Sequence, residues 1–183
     1  NVGNNQWEIS KELKAPNPMA GQEFGTKVAM DNGIVIVSAK FDSENYYDDG
    51  DIKNAGGIAQ GSVYVFEEIT GWNFSQKLVP TDGKGHLWDG FGQALALEGN
   101  TLAIGAPGTD NTTYAAPGSV YMFERYGNTW EQITKIEAAD GQTDDFFGAG
   151  LSLNGNHLVI ASPGSHNSLM PNQSQPSGAA YVF

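Results

Sequence analysis

Cysteine is absent from this 183-residue sequence, and cationic residues are scarce. Without cysteine there are no disulfides, no thiolate catalysis and no cysteine-based zinc sites. Lys and Arg together number 9 against 21 Asp and Glu, which gives a formal net charge of −12. A negative field of this size repels phosphate backbones, so we expect no nucleic-acid partner. Apolar runs extend for only a few residues, so the sequence also predicts no membrane span.

Glycine and proline are the residues that punctuate the chain. The sequence holds 24 Gly and 8 Pro, and only 16% of its residues are charged. No stretch places apolar residues at helical spacing without an interrupting Gly or Pro. This composition favours short strands joined by tight turns, and the fold class predicted is all-β.

Three sequence markers recur in the same order along the chain. The hexapeptide GSVYVF at 61–66 returns as GSVYMF at 118–123 and as GAAYVF at 178–183. Phe-Gly pairs stand at 24–25, 91–92 and 147–148, and the tryptophans that open each unit are Trp7, Trp72 and Trp130. Three markers in constant order indicate three tandem copies of one structural unit.

Each unit is predicted to be a four-stranded antiparallel sheet. First strands are expected at 26–30, 93–97 and 149–153, and second strands at 34–38, 101–105 and 157–161. Third strands are expected at 62–67, 119–124 and 179–183, and fourth strands at 72–78, 130–136 and 7–13. Short Asn- and Gly-containing turns join the first two strands, because these residues tolerate positive φ.

The third strand is apolar on both faces, which is typical of sheets stacked on neighbouring sheets. Val63 and Val65 alternate with Tyr64 and Phe66. Radially stacked four-stranded sheets are the blades of a β-propeller, and an open stack of β units is the alternative. Three blades are too few to close a ring, so the sequence predicts a partial propeller or one completed by oligomerisation.

The unit resembles the FG-GAP repeat, which is best known from the integrin α-subunit head and from bacterial surface proteins. The resemblance is carried by FGTKVAMDNGIVIVSA, FGQALALEGNTLAIGAPG and FGAGLSLNGNHLVIASPG. It covers residues 1–183 as a single segment, with blade units at about 14–78, 79–136 and 137–183 and residues 6–13 as an outer strand. It implies a seven-bladed propeller on an extracellular or cell-surface protein.

The resemblance raises the question of whether the chain binds calcium. Integrin-like repeats often carry an Asp-rich calcium loop between the first two strands, where this chain has turns of three residues. The chain therefore resembles a microbial variant without that loop. A different acidic loop, 41–60, offers possible Ca²⁺ ligands in Asp42, Asp48, Asp49 and Asp51, with a solvated acidic loop as the alternative.

Candidate binding residues lie in the long loops 41–60, 108–117 and 164–177. Exposed loop aromatics are binding hints, and those of interest are Tyr46, Tyr47 and Tyr114. We expect a protein or glycan ligand there. Asn-x-Ser/Thr triplets make Asn73, Asn111 and Asn172 candidate glycosylation sites.

No catalytic constellation is evident, and the sequence predicts no enzyme. Acids precede the Phe-Gly strands at Asp82, Asp89, Asp140, Asp144 and Asp145. A catalytic pair among them is the alternative to carboxylates that bond local backbone N–H groups and hold turns. Recurrence at one position in successive units favours the turn-holding interpretation.

The function predicted is a non-enzymatic extracellular or cell-surface module for adhesion or ligand binding. Its partners would be a protein or glycan at the loops, together with further blades of the same chain or a second copy at the open edges. The alternatives are a structural subunit of a ring or filament, and a carbohydrate- or phosphodiester-active enzyme domain.

Overall fold

A computed structural model describes residues 7–42, 60–82, 90–108, 117–166 and 176–183 of the chain. Within these ranges the protein is all-β, with eleven strands, one short 3₁₀ turn and no α-helix. The strands form three antiparallel sheets, one for each sequence unit. The predicted fold class and the order of strands within each unit are confirmed.

Strand bounds follow the predicted pattern with shifts of one or two residues. Sheet 1 contains β1 (Phe24–Asp31), β2 (Ile34–Ala39), β3 (Ser62–Glu67) and β4 (Asn73–Leu78). Sheet 2 contains β5 (Ala94–Glu98), β6 (Thr101–Ala106), β7 (Ser119–Tyr126) and β8 (Thr129–Ile136). Sheet 3 contains β9 (Gly150–Asn154), β10 (His157–Ser162) and β11 (Ala179–Val182).

The recurring sequence markers meet inside each sheet. The phenylalanine of every Phe-Gly pair packs edge-on against the tyrosine of the third strand in its own unit. The ring centroids of Phe24 and Tyr64 lie 5.5 Å apart, and those of Phe91 and Tyr121 lie 5.4 Å apart. Phe147 meets Tyr181 at 5.2 Å. Edge-to-face packing of this kind explains why the two markers recur together.

Sheets stack through their apolar faces, as the two-sided third strand predicts. Val63 and Val65 are fully buried between sheets 1 and 2, in one core with Leu102 and Ile104. A second core joins sheet 2 to sheet 3. Its buried members are Ala96, Ala103, Val120, Met122, Phe147, Leu158 and Ile160.

The sheets are arranged as blades that fan out from a common inner edge. The first strands lie side by side, because β1 contacts β5 and β5 contacts β9, whereas the outer strands β4 and β8 touch far less. Glycine allows the blades to approach closely at two equivalent points. A Cβ on Gly61 would lie 2.2 Å from the Phe91 carbonyl oxygen, and a Cβ on Gly118 would lie 2.2 Å from that of Phe147.

Residues 7–13, predicted as an outer strand, form no strand in the structure. Leu13 and Ala15 lie instead against the outward face of sheet 1, where they pack with Tyr64 and Phe66. In the described part of the chain, the third strand of another sheet does not lie beside residues 7–13, so their backbone has no strand with which to pair. The three sheets accordingly form part of a propeller and do not close into a ring.

Candidate functional site

One edge of the three sheets carries the long connections and is the candidate site. The second strands β2, β6 and β10 end at this edge, which we call the loop rim. The connections that follow lie outside the described residues, at 43–59, 109–116 and 167–175. The opposite edge, which we call the hairpin rim, carries the short turns between first and second strands.

A cluster of charged and phenolic groups stands at the loop rim of sheet 2. The Tyr121 hydroxyl donates to Asp82 Oδ2 at 3.1 Å, and Lys135 Nζ lies 3.3 Å from the same oxygen. Lys135 also contacts Glu137 Oε1 at 2.9 Å, and its Nζ lies 5.4 Å from the centre of the Tyr121 ring. Ser119 donates to Glu137 Oε1 at 3.3 Å.

The pKa values of Tyr121, Lys135 and Glu137 are shifted by burial and by the interactions of these groups within the cluster. Burial raises the pKa of Tyr121 to about 12, and Asp82 adds to the rise while Lys135 opposes it. Burial opposes the charged form of Lys135, yet its bonds to Glu137 and Asp82 and its attraction to Tyr121 raise its pKa overall. The hydrogen bond from Lys135 lowers the pKa of Glu137. The cluster therefore keeps a neutral phenol beside a charged lysine at neutral pH.

Sheet 1 repeats the arrangement with a carboxylate from a different part of the chain. The Tyr64 hydroxyl donates to Asp42 Oδ2, and Lys77 Nζ lies 3.2 Å from that oxygen. Tyr64 and Lys77 stand opposite each other in the β3–β4 ladder, as Tyr121 and Lys135 do in β7–β8. In sheet 3 the Tyr181 hydroxyl donates to Asp140 Oδ1 at 3.3 Å. We call these three groups the tyrosine–carboxylate clusters.

Asp42 is the one candidate calcium ligand that the structure describes. Its side chain is 2% exposed, and one of its oxygens is occupied by Tyr64 and Lys77. The other candidates, Asp48, Asp49 and Asp51, lie outside the described residues. Among the described residues no group of three or more His, Asp or Glu side chains is placed to hold a metal ion. Calcium binding by the 41–60 loop stays a prediction.

Asp145 bonds to local backbone, as the turn-holding interpretation predicts. Its Oδ2 accepts from the Gln142 N–H at 2.8 Å, and its side chain is 4% exposed. Gln22 has the same place in sheet 1, where its Oε1 accepts from the Met19 N–H at 3.2 Å. These side chains fix the approach to the Phe-Gly strand. Asp89, the third residue at this position, lies outside the described residues.

Two carboxylates at the hairpin rim tie each blade to the next. The Gly99 N–H donates to Asp31 Oδ2 at 2.6 Å, and the Gly155 N–H donates to Glu98 Oε2 at 2.7 Å. Each acid ends the first strand of its own blade and accepts from the turn of the following blade. These carboxylates stand in the turns that are too short for a calcium loop, and they bind neighbouring backbone instead.

The remaining predicted site residues fall mostly outside the described part of the chain. Tyr46, Tyr47, Tyr114, Asn111 and Asn172 all belong to that group, so their roles stay predictions. Asn73 is described. It is exposed at the start of β4, and its side-chain amide donates to the Thr70 carbonyl oxygen. Its glycosylation is likewise untested.

Sequence reasoning missed the lysines of the tyrosine–carboxylate clusters and the acids of the hairpin rim. Lys77 and Lys135 each stand five residues after the tryptophan of their unit, and this spacing was the available signal. Asp31 and Glu98 each close a first strand. Their partners are backbone amides of another blade, and the sequence gives no sign of them.

The described residues contain no helix that is long and apolar enough to cross a membrane.

A comparison with protein-family models matches three segments, at residues 7–66, 72–123 and 130–183, to the family described as FG-GAP repeat. No curated protein matches the chain at a significant level. Each matched segment starts at a tryptophan and runs through the third strand of the next sheet, so the sequence repeat is offset from the blade by one strand.

Proposed function

The chain belongs to the FG-GAP repeat family, and we propose that it acts as a non-enzymatic, extracellular or cell-surface binding module used in adhesion. The observation that carries the proposal is the loop rim. The longest connections of three successive blades begin at this edge, and two buried cores hold the blades together. Variable loops held by a rigid scaffold are the usual location of binding residues.

The chemistry of the loop rim favours a protein or glycan partner. The sequence of these connections contains Tyr46, Tyr47 and Tyr114, and tyrosine supplies both an apolar face and a hydroxyl to an interface. The net charge of −12 favours partners with basic surfaces, because complementary charge steers encounter. FG-GAP repeats are typical of extracellular proteins, which supports the proposed location.

A cell-binding assay tests the proposal. Labelled protein is applied to intact cells, to protease-treated cells and to glycosidase-treated cells, and the bound label is measured. We expect binding that one of the two treatments removes, and at least a tenfold loss in a variant with Tyr46, Tyr47 and Tyr114 all changed to Ser. Tyr126→Ser, an exposed tyrosine at the hairpin rim, is the matched control. Undiminished binding by the triple variant would refute the loop rim as the site.

An enzymatic role is the competing proposal, and the clusters argue against it. Asp82 is held by Tyr121 and Lys135, and Asp145 is held by local backbone, so these carboxylates serve the scaffold. Hydrolysis of nitrophenyl glycosides or of bis(nitrophenyl) phosphate by the pure protein, lost on Asp82→Asn, would favour the enzyme instead.

A further inference from the structure

A cleft opens between sheets 1 and 2 at the hairpin rim, on the edge opposite the long loops. Sheet 1 contributes its β1–β2 turn and the 3₁₀ turn that follows β3, and sheet 2 contributes its β7–β8 turn. The cleft has a volume of about 370 Å³, which is within the range of pockets that take small ligands. Both of the blades that enclose it belong to the described chain.

An ion pair between the two sheets lies in the lining of this cleft. Arg125 Nη2 donates to Glu67 Oε1 at 2.9 Å, and Ser75 Oγ donates to the same oxygen at 3.3 Å. The Glu67 side chain is 6% exposed, yet its second oxygen, Oε2, has no hydrogen-bond partner among the described residues. Buried carboxylate oxygens ordinarily have such a partner. Glu67 Oε2 is therefore available to accept a hydrogen bond from a ligand.

The same ion pair is also incompletely satisfied at its cationic end. The Arg125 side chain is 19% exposed, and its Nε is buried without a hydrogen-bond partner in the described part of the chain. Taking two charges out of water costs free energy that their attraction returns only when the remaining donors and acceptors are also paired. The pair is thus a poor contact for the scaffold alone, and a ligand that completes it would gain affinity.

Further acceptors stand at the mouth of the cleft. Glu68 is exposed, and its side chain makes no ion pair or hydrogen bond among the described residues. Its carboxylate lies over the β1–β2 turn, where a Cβ on Gly33 would be 3.1 Å from Glu68 Oε2. Asn32 Nδ2 donates to Asp31 Oδ2 at 3.1 Å, which leaves Asn32 Oδ1 as an acceptor.

The charge and the apolar wall of the cleft restrict what it can bind. Two carboxylates, Glu67 and Glu68, stand against the single guanidinium of Arg125, so the lining carries one unbalanced negative charge. An anionic ligand would be repelled, whereas a cation would balance the charge. Ile69 is 91% exposed beside these acceptors and offers an apolar surface. Long cationic side chains pack their aliphatic stems on such surfaces and keep their charged heads with polar groups.

We propose that this cleft binds a guanidinium or ammonium group carried on an aliphatic stem, either as a basic side chain of a partner or as a free basic compound. The charged head lies between Glu68 and Glu67 Oε2, and the stem packs on Ile69. A guanidinium suits the cleft best, because its planar fork donates to several oxygens at fixed angles. The site lies at the rim opposite the long loops, so the inference is independent of the loop-rim ligand.

Isothermal titration calorimetry at low ionic strength tests the proposed ligand chemistry. The probe is Nα-acetyl-arginine amide, and the neutral Nα-acetyl-citrulline amide, of nearly the same shape, is its control. We expect the arginine amide to bind with a dissociation constant of about 1 mM or below, and to bind more weakly as salt is added. No binding of the arginine amide at about 10 mM, or equal binding of the citrulline amide, would overturn the proposal.

Variants of the exposed lining residues test the position of the charged head and the stem. Glu68→Gln is expected to weaken binding of the arginine amide about fivefold or more, because it removes the unpaired carboxylate. Ile69→Ser, which removes the apolar surface, is expected to weaken it about two- to threefold. Glu8→Gln makes the same change of charge at an exposed residue outside the cleft and is the matched control. Equal effects of Glu68→Gln and Glu8→Gln would assign the binding to overall charge and overturn the proposal.

Nitrogen–proton correlation NMR of the wild-type protein locates the site without any substitution. Addition of the arginine amide is expected to shift the Arg125 Nε–H resonance and the backbone amide resonances of Gly33 and Ile69. The amide resonance of Tyr121, whose hydroxyl lies at the loop rim, should stay in place. Shifts centred on Tyr121, with the resonances of the cleft unchanged, would overturn the proposal.

The same titrations distinguish the two sources of the basic group. One arm uses a tripeptide with a central arginine and blocked ends, and the other uses agmatine, a free guanidinium compound. Tighter binding of the tripeptide would assign the cleft to a side chain of a partner protein, and tighter binding of agmatine would assign it to a free basic compound. Loss of affinity for both probes in Glu68→Gln supports the site in either case, and unchanged affinity for both would overturn it.

Discussion

The tryptophan that opens each unit has a different environment in each copy. Trp130 is 2% exposed within the core between sheets 1 and 2, Trp72 is partly buried, and Trp7 is 93% exposed. The same sequence marker therefore contributes very differently to the free energy of unfolding in the three units, depending on which residues surround it. The difference follows from neighbouring blades, because the marker and its spacing are the same in all three units.

Truncating these tryptophans measures that difference. Trp130→Ala is expected to lower the free energy of unfolding by about 3–5 kcal/mol, because it leaves a cavity in the core. Trp7→Ala, at a residue that is 93% exposed, is expected to change it by less than about 0.5 kcal/mol. Urea unfolding followed by circular dichroism gives both values. Similar losses for the two variants would contradict the placement of residues 7–13.

Because of Tyr121, the stability of sheet 2 is expected to depend on pH in the alkaline range. Its pKa is raised from 10.0 to about 12, chiefly by burial, so the phenolate is disfavoured in the folded state. The stabilisation is therefore complete below pH 10 and is lost as pH rises through about 12. Raised pKa values at Lys135 act in the same direction.

The Tyr121→Phe variant isolates this contribution. Urea midpoints measured on both sides of the window from pH 10 to about 12 should fall steeply with pH for the wild type and less steeply for the variant. Tyr126→Phe is the comparison, because Tyr126 is exposed and its pKa is raised mainly by a hydrogen bond to Glu124. Equal slopes for the wild type and Tyr121→Phe would contradict the burial of the phenol.

At the scale of elements, the glycine before each third strand controls how closely two blades approach. Gly61 and Gly118 both have positive φ, and both face the backbone of the next blade's Phe-Gly pair. Gly178 has the same conformation, but no following blade lies against it in the described structure. Substitutions at Gly118 and Gly178 therefore distinguish the free-energy cost of backbone strain from that of a steric clash between blades.

Alanine substitutions at this position are expected to differ in cost. Gly118→Ala combines strain at φ 94° with a Cβ 2.2 Å from the Phe147 carbonyl oxygen, for a loss of about 2–5 kcal/mol. Gly178→Ala carries only the strain, for about 1–2 kcal/mol. Thermal unfolding of the two variants gives the comparison. If Gly178→Ala were the more costly change, the blade interface would be wrongly located.

The strand elements could be predicted because each is encoded locally. Alternating apolar residues and Asn-Gly turns placed β2, β6 and β10 within one residue of their observed ends. The partnership of Phe91 with Tyr121, which are thirty residues apart, was visible only as a recurring order of markers. Contacts without a recurring spacing, such as Asp31 with Gly99, carry no signal in the sequence. Residues 7–13 match the strand pattern, but pairing depends on a neighbour that the pattern does not supply.

At the scale of the whole chain, repetition explains where the apolar cores lie. Each blade buries its faces against neighbours, so the two interfaces between sheets form two of the cores, while Leu13 and Ala15 cover part of the outward face of sheet 1. The candidate site was predictable only as a set of loops at one rim. The clusters that brace this rim depend on carboxylates from three different parts of the chain, Asp42, Asp82 and Asp140.

Hydrogen–deuterium exchange read by mass spectrometry tests the central claim, that the chain is a stack of three blades joined by two apolar cores. Peptides covering β2, β3, β6 and β7 should exchange slowly, while residues 7–13 and β11 exchange quickly. Protection of residues 7–13, or fast exchange throughout β6 and β7, would contradict the account.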